Sequence, residues 1–104
     1  MKGYLVICDS EITYAKRLSE YLSSDCFEGY EVRLFTSAKL LKDSIKDNEI
    51  DILIIDEKSY ETLTIICDKS SVKYKRVVVL SPDKNSDYIY KYQSAKVIKS
   101  YIFD

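Results

Sequence analysis

The amino-acid sequence predicts an α/β domain in which helices cover both faces of a parallel sheet. Two observations favour this fold class. Continuously apolar, β-branched segments recur along the chain, and such segments are typical of parallel strands that are buried on both faces. Between them, apolar residues recur at the spacing of a helix with one buried face. The chain has 104 residues, and a domain of this length removes roughly 65% of its unfolded surface from water, which suffices for a core without disulfides or metal.

The first third of the chain predicts a strand, a helix and a second strand. Residues 4–8 form an apolar run that ends at Asp9, which indicates a central strand. Apolar residues at helical spacing predict a helix over residues 12–22, with Ser10 or Thr13 available as its N-cap. Residues 31–35 then alternate in polarity, as expected of a half-exposed strand.

A second helix is predicted after this strand. Thr36 and Ser37 provide its N-terminal cap, and Asn48 is expected to end it. Three apolar residues are expected to face the core: Leu40, Leu41 and Ile45.

The middle of the chain contains the clearest strand signal. Residues 50–55 are strongly apolar and end in an acid, Asp56. Residues 59–67 predict a short helix, although several of them are β-branched. Residues 76–80 predict a third buried strand, which ends at Ser81.

The last elements define the topology. Residues 88–90 predict a short strand and residues 94–102 a final helix. Right-handed crossovers then favour a doubly wound, flavodoxin-like sheet of five parallel strands in the order 2-1-3-4-5. Ser81 and Lys91 are only ten positions apart (91 − 81), whereas a mean helix alone takes about 11 residues. The crossover between the fourth and fifth strands is therefore predicted to be truncated, within a single domain over residues 1–104.

Composition excludes several classes of function. The chain has no histidine, which excludes Ser/His and Cys/His catalytic pairs, HExxH zinc sites and imidazole pH switches. Its two glycines lie far apart, so neither a P-loop nor a dinucleotide-binding turn is present. Cys8, Cys26 and Cys67 are odd in number and widely spaced, which favours buried, reduced thiols in a cytoplasmic protein. We expect no enzymatic activity and, because no apolar run approaches about 20 residues, no membrane span.

The charge distribution is asymmetric. Residues 1–68 carry 8 basic and 14 acidic side chains, whereas residues 69–104 carry 8 basic and 3 acidic ones. A basic segment of this kind is one way to contact nucleic acid. Its charges, however, flank a predicted strand or lie on a predicted helix, so an ordinary solvated face is favoured over a nucleic-acid partner.

Four polar residues follow or end predicted strands: Asp9, Asp56, Ser81 and Lys91. The carboxyl ends of parallel strands share one edge of the sheet, so these side chains are expected near one another. Neighbouring carboxylates repel unless a cation lies between them, a hydroxyl can bind a phosphoryl oxygen, and a lysine can neutralise its charge. This is the chemistry of aspartyl phosphorylation with a magnesium ion. Helix capping and turn formation are the simpler alternative for the same residues.

Each of these four residues lies in a short segment, and the segments are residues 6–11, 52–56, 78–81 and 90–91. In their order along the chain, the four segments resemble the receiver domain of two-component response regulators. The resemblance implies that Asp56 is the phospho-acceptor, that Asp9 belongs to a Mg²⁺ site, that Ser81 senses the phosphoryl group and that Lys91 is its charge partner.

Three departures from the receiver pattern predict impaired phosphorylation. Receivers usually carry a second metal-binding acid directly after the first, whereas this chain has Ser10 there, followed by Glu11, so its affinity for Mg²⁺ should fall. Residues 57–61 replace the usual turn of proline and glycine. The missing crossover helix belongs to a surface that receivers use for output. We therefore expect a receiver-like domain that acts in signal transduction or localisation through protein–protein contacts, with a phosphorylatable receiver as the alternative.

Over residues 89–98, the shortened form is also similar to the N-terminal pseudo-receiver of CpaE/TadZ-type pilus-assembly ATPases. This resemblance implies a fused effector, such as a P-loop ATPase, and a domain that forms the N-terminal part of a longer protein. Four tyrosines crowd the end that lacks the helix, and both core packing and a partner or homodimer surface remain open for them: Tyr88, Tyr90, Tyr92 and Tyr101.

Overall fold

A computed structural model describes residues 3–24, 30–44, 49–66 and 73–103. The strands are β1 Gly3–Cys8, β2 Tyr30–Phe35, β3 Glu49–Asp56, β4 Lys73–Ser81 and β5 Ile89–Tyr90, and the helices are α1 Ile12–Ser24, α2 Ala38–Ser44, α3 Glu57–Ile66 and α4 Ala95–Phe103. The strands form one parallel five-stranded sheet in the order β2-β1-β3-β4-β5. The predicted α/β, flavodoxin-like arrangement and its strand order are confirmed.

Helices cover the sheet on both faces because alternate side chains of the central strands point in opposite directions. On β1, Leu5 and Ile7 pack in a core with residues of α1 and α4. Val6 and Cys8 pack on the other face, with residues of α2 and α3. Burying one such aliphatic side chain contributes about 1.5–3 kcal/mol, so these runs hold β1 and β3 in the centre of the sheet.

The predicted truncation between β4 and β5 is also confirmed. Residues 82–88 form turns and bends without a helix. The turns are held by side chains that accept backbone N–H groups: Ser81 Oγ from Asp83 at 3.1 Å, Asp83 Oδ1 from Asn85 at 2.9 Å and Ser86 Oγ from Tyr88 at 3.1 Å. These short loops return the chain directly to β5, whose two residues pair with Leu80 and Ser81.

Basic side chains tie two helix C-termini to neighbouring elements. The Arg76 guanidinium, from β4, donates to the carbonyl oxygens of Tyr101 and Ile102 at the end of α4. Lys42, from α2, donates to the carbonyl oxygen of Ile66 at the end of α3, with a distance of 2.7 Å. These bonds satisfy carbonyls that have no partner within their own helix.

Some local predictions were wrong. Leu40 is 51% exposed, because the inward stripe of α2 passes through Ala38 and Leu41, one helical turn apart, and Leu40 lies off that stripe. Neither Ser10 nor Thr13 is the N-cap of α1, since the helix begins at Ile12 after Glu11. Ser37 caps α2 as predicted, and Cys8 is a buried free thiol. Other predictions fall on residues outside the described ranges: Cys26, Ile45, Asn48 and Cys67.

Candidate functional site

The four residues expected at the carboxyl edge of the sheet occupy neighbouring strand ends. Asp56 and Ser81 are the last residues of β3 and β4, Asp9 directly follows β1, and Lys91 directly follows β5. Each is at most 6% exposed. Buried polar side chains are costly unless they are paired, so their partners determine what this edge can do.

The Lys91 ammonium is the centre of a buried ion-pair network. Its Nζ donates to Asp9 Oδ2 at 2.8 Å and to Glu11 Oε1 at 3.1 Å. The same nitrogen lies 4.4 Å from the centre of the Tyr14 ring and 5.5 Å from that of Tyr92. An ammonium has three donor hydrogens, and two carboxylates together with the face of an aromatic ring provide contacts for all three.

The backbone of Lys91 is fixed as well. Its N–H donates to the carbonyl oxygen of Ser81 at 2.8 Å, which extends the β4–β5 ladder by one bond. Its carbonyl oxygen accepts the Tyr14 hydroxyl at 2.7 Å. The Tyr92 hydroxyl donates to Glu11 Oε1, and the Tyr14 and Tyr92 rings meet edge to face at 6.0 Å. Lys91 is therefore held through its N–H, its carbonyl and its side chain.

Asp9 has both carboxylate oxygens engaged. Oδ2 accepts the Lys91 ammonium, and Oδ1 accepts the backbone N–H of Glu11 at 2.9 Å, a local turn that leads into α1. Burial raises the pKa of Asp9, and the Asp56 charge adds to the rise, against the opposing effect of Lys91. Burial alone would lower the pKa of Lys91, but its bonds to Asp9 and Glu11 outweigh burial and raise it. The side chain of Lys91 is therefore a cation at neutral pH.

Asp56 combines a capping contact with an oxygen that has no partner. Its Oδ2 accepts the backbone N–H of Ser59 at 3.3 Å in the first turn of α3, which follows β3 without a loop. Its Oδ1 is buried and has no hydrogen-bond partner among the residues that the structure describes. Leaving such an atom unsatisfied costs about 1–3 kcal/mol. The capping alternative thus accounts for one Asp56 oxygen and leaves the other unexplained.

Cys8 and Ser81 have local roles at this edge. Burial raises the pKa of the Cys8 thiol to about 12, with further contributions from Asp56 and Asp9, so the thiol stays protonated and is a poor nucleophile. Ser81 Oγ accepts the backbone N–H of Asp83 and so helps to form the turn after β4. Ser86 donates from this loop to Glu57 at the start of α3, with a distance of 3.3 Å.

The carboxylates do not fit a Mg²⁺ site while Lys91 is in place. Mg²⁺ requires oxygen ligands in near-octahedral geometry. Both Asp9 oxygens are occupied, Ser10 is exposed, and Glu11 Oε1 already accepts Lys91 and Tyr92. Across residues 3–24, 30–44, 49–66 and 73–103, no group of three or more cysteine or acidic side chains is arranged to hold a metal ion.

The four tyrosines near the truncated crossover separate into two pairs. Tyr90 and Tyr92 stack edge to face at 5.8 Å on the side of Lys91. Tyr88 and Tyr101 line a groove of about 400 Å³ beside β4. The groove also contains residues of α3, β4, β5 and the loop between the last two strands: Tyr60, Arg76, Val77, Val78, Val79, Asp87 and Ile89.

Sequence reasoning missed Tyr14 and the role of Glu11. Tyr14 lies within the helix predicted over residues 12–22 but has no predicted role in the site, and Glu11 is predicted only as a neighbour of Asp9 and Ser10. A signal was present, because positions 11 and 14 are three apart at a helix start and therefore share a face. That this face meets Lys91, about 80 residues away in the chain, depends on the tertiary fold.

The chain matches no protein-family model and no curated protein. Its class is therefore defined by its own architecture, a five-stranded parallel α/β sheet of flavodoxin-like order that is compatible with a receiver-like fold. No helix in the described ranges is long and apolar enough to span a membrane.

Proposed function

We propose that the chain is a receiver-like domain of a cytoplasmic signal-transduction or localisation system, that it acts through protein–protein contacts, and that phosphorylation of Asp56 is impaired. The observation that carries this proposal is the groove of about 400 Å³ beside β4. It lies where a crossover helix between β4 and β5 would otherwise cover the sheet.

The groove has the composition of a contact surface. Val77 and Val79 provide an aliphatic floor, and Ile89 extends it toward β5. Tyr88 and Tyr101 are 44% and 49% exposed, and tyrosine is enriched where protein interfaces bury their central residues. Covering apolar surface contributes about 25 cal/mol per Å², so a partner gains free energy from the parts of the Tyr88 and Tyr101 rings that it covers.

The ion-pair network supports the second part of the proposal. Receiver phosphorylation needs a divalent cation beside the acceptor, and the Asp9 carboxylate that would hold it is bound to Lys91. Lys91 in turn contacts Asp9 and Glu11, so it is not free to pair with a phosphoryl group on Asp56. Both groups would have to be rearranged before phosphoryl transfer.

The resemblance of residues 89–98 to the CpaE/TadZ-type pseudo-receivers supports an effector domain fused to this one, such as a P-loop ATPase, as its partner. A homodimer through the tyrosine-lined groove is the second form of contact compatible with the proposal. A nucleic-acid partner is not favoured, because several basic groups of the C-terminal segment are used within the fold, namely those of Lys75, Arg76 and Lys91.

A phosphorylatable receiver remains the second candidate, and one observation favours it. Asp56 Oδ1 is buried at the start of α3, and no hydrogen-bond partner for it lies in residues 3–24, 30–44, 49–66 or 73–103. A helix N-terminus stabilises negative charge, and an acceptor carboxylate needs one oxygen free to attack phosphorus. In this candidate, Mg²⁺ would bind near Asp9 after displacement of Lys91.

Two experiments test the proposal. The first follows amide NMR signals of the domain with Mg²⁺ and then beryllofluoride, a phosphoryl mimic. We expect no change at Asp56 or Ser81, and saturable shifts that disappear in Asp56→Ala would establish the phosphorylatable receiver instead.

The second experiment places a photo-crosslinking phenylalanine at Tyr88 or Tyr101 of the full-length protein in its native cells. Lys39, exposed on α2, is the matched control position. We expect discrete adducts from the groove positions that do not depend on Asp56. If the groove positions gave no more adduct than position 39, protein contact at this groove would be excluded.

A further inference from the structure

Several carboxylates lie at the carboxyl edge of the sheet, near the Lys91 ammonium. Asp9 and Asp56 are buried and interact electrostatically, and Glu11 approaches from the start of α1. Buried carboxylates repel one another unless a cation compensates them. Among the described residues, Lys91 is the cation whose Nζ contacts this cluster.

We propose that the Lys91 ammonium is the resident cation of this acidic cluster, and that removing it turns Asp9 and Glu11 into a binding site for a divalent cation. The proposal rests on the proposed function, because it gives the physical reason why metal-dependent phosphorylation is impaired. It goes further in two ways. It assigns the position that a metal ion would take to Lys91 Nζ, and it predicts that a metal ion binds to Asp9 and Glu11 when Lys91 is removed.

The geometry around Nζ is that of a cation site. Two carboxylate oxygens lie at 2.8 and 3.1 Å. A Ca²⁺ ion is bound by oxygens at about 2.3–2.6 Å and a Mg²⁺ ion at about 2.0–2.1 Å, so small shifts of two side chains would bring both oxygens to an ion placed at the position of Nζ. Metal ions such as Mg²⁺ are often held by one or two carboxylates, with water in the other positions.

A second observation indicates that the positive charge of Lys91 does not compensate the whole acidic cluster. Asp56 Oδ1 is buried and has no hydrogen-bond partner within the described part of the chain, although Asp56 contributes to the electrostatics of both Asp9 and Cys8. The Lys91 ammonium is already saturated by Asp9, Glu11 and the Tyr14 ring, so it does not serve this oxygen as well. A divalent ion with its bound waters would provide donors that the ammonium lacks.

Lys91 cannot be displaced easily, because the chain on either side of it is fixed. Its N–H is bound to Ser81 and its carbonyl to the Tyr14 hydroxyl. The side chain also lies against the rings of Tyr14 and Tyr92. A metal ion in solution competes with a cation that is covalently attached and already positioned, so the wild-type cluster is expected to exclude Mg²⁺ and Mn²⁺.

The test uses Mn²⁺ as a paramagnetic probe of the wild-type domain, the Lys91→Met variant and the Lys96→Met variant. Lys96 is an exposed lysine on α4, so the control removes the same charge without touching the cluster. Broadening of the amide signals of Asp9, Glu11 and Asp56 reports a bound ion. We expect at least tenfold tighter Mn²⁺ binding by Lys91→Met than by the other two proteins, and competition by Mg²⁺ or Ca²⁺.

Removal of Lys91 leaves Asp9 buried without its partner, so this variant is also refolded with and without Mn²⁺. A variant that folds only with Mn²⁺ supports the proposal. Equal Mn²⁺ affinity in wild type and Lys91→Met overturns it, as does a variant that stays unfolded in Mn²⁺. The Lys91→Met, Asp9→Asn double variant should lose the gained affinity, and retention of that affinity would also overturn the assignment.

These outcomes are separate from those of the phosphorylation test. Wild-type protein that binds Mn²⁺ but ignores beryllofluoride contradicts the resident-cation proposal and leaves the proposed function intact. Wild-type protein that does not bind Mn²⁺ in the absence of beryllofluoride, but responds to Mg²⁺ together with beryllofluoride, contradicts the proposed function. The proposal that Lys91 is the resident cation of the unphosphorylated domain would then still hold.

Discussion

Replacing Tyr14 by phenylalanine tests how firmly Lys91 is fixed. The change removes one hydroxyl, which donates to the Lys91 carbonyl at 2.7 Å, and keeps the ring that contacts the ammonium. Because the hydroxyl and carbonyl are partly buried, the variant loses a hydrogen bond and leaves an acceptor without a partner. Such a loss costs about 1–3 kcal/mol, and we expect about 2 kcal/mol, a substantial share of the 5–15 kcal/mol that is typical of a domain.

Urea denaturation followed by circular dichroism measures this effect. With a slope near 2 kcal/mol per M, the midpoint should fall by about 1 M. Tyr92→Phe is the matched control, since its hydroxyl donates to the exposed carboxylate of Glu11, and water can replace that bond at a cost of about 0.5 kcal/mol. Equal losses in the two variants, or a loss below about 0.5 kcal/mol for Tyr14→Phe, would refute the claim that this hydroxyl fixes the Lys91 backbone.

Two further perturbations address the network and the packing of the last helix. The pKa values of Lys91, Tyr14 and Tyr92 are all raised in the folded protein, so the folded state holds these protons more tightly and the stability that they provide is lost as the pH rises above about 10. Urea midpoints across that range should fall more steeply for wild type than for the Lys91→Met, Asp9→Asn variant, and parallel curves would contradict the network. Arg76→Met removes both bonds to the end of α4 and should lower stability by about 1–2 kcal/mol. Faster hydrogen exchange in α4 would accompany this loss, and Lys73→Met, on the same strand, should change neither quantity.

The fold was predictable because its signals are local. Residues 4–8 are apolar over their whole length, and residues 50–55 are apolar except for Asp51, a pattern typical of strands covered on both faces. The ten-residue interval from Ser81 to Lys91 excluded a crossover helix by length alone. Leu40 was misplaced because α2 spans only seven residues, about two helical turns, so two neighbouring stripes fit the pattern equally well.

The composition of the site was predictable, but its pairing was not. Strand ends identify Asp9, Asp56, Ser81 and Lys91 as neighbours, because parallel strands share their carboxyl edge. Whether Lys91 turns toward Asp9 or Asp56 is decided by side-chain contacts across the sheet. Glu11 and Tyr14 favour the pairing of Lys91 with Asp9, because they place a second carboxylate and the face of an aromatic ring on the Asp9 side of the Lys91 ammonium. Neither the segment that contains Glu11 and Tyr14 nor the segment that contains Lys91 has a sequence pattern that predicts this contact.

The truncated crossover links the open groove to the fixed lysine. With no helix between β4 and β5, the chain returns through turns held by Ser81, Asp83 and Ser86, and Lys91 bonds directly back to Ser81. The same shortening leaves the β4 flank uncovered beside Tyr88 and Tyr101. A conformational switch requires an element with two arrangements of similar free energy. Lys91 is instead held through both its backbone and its side chain in one arrangement, and this suits a domain that presents a constant surface to a partner.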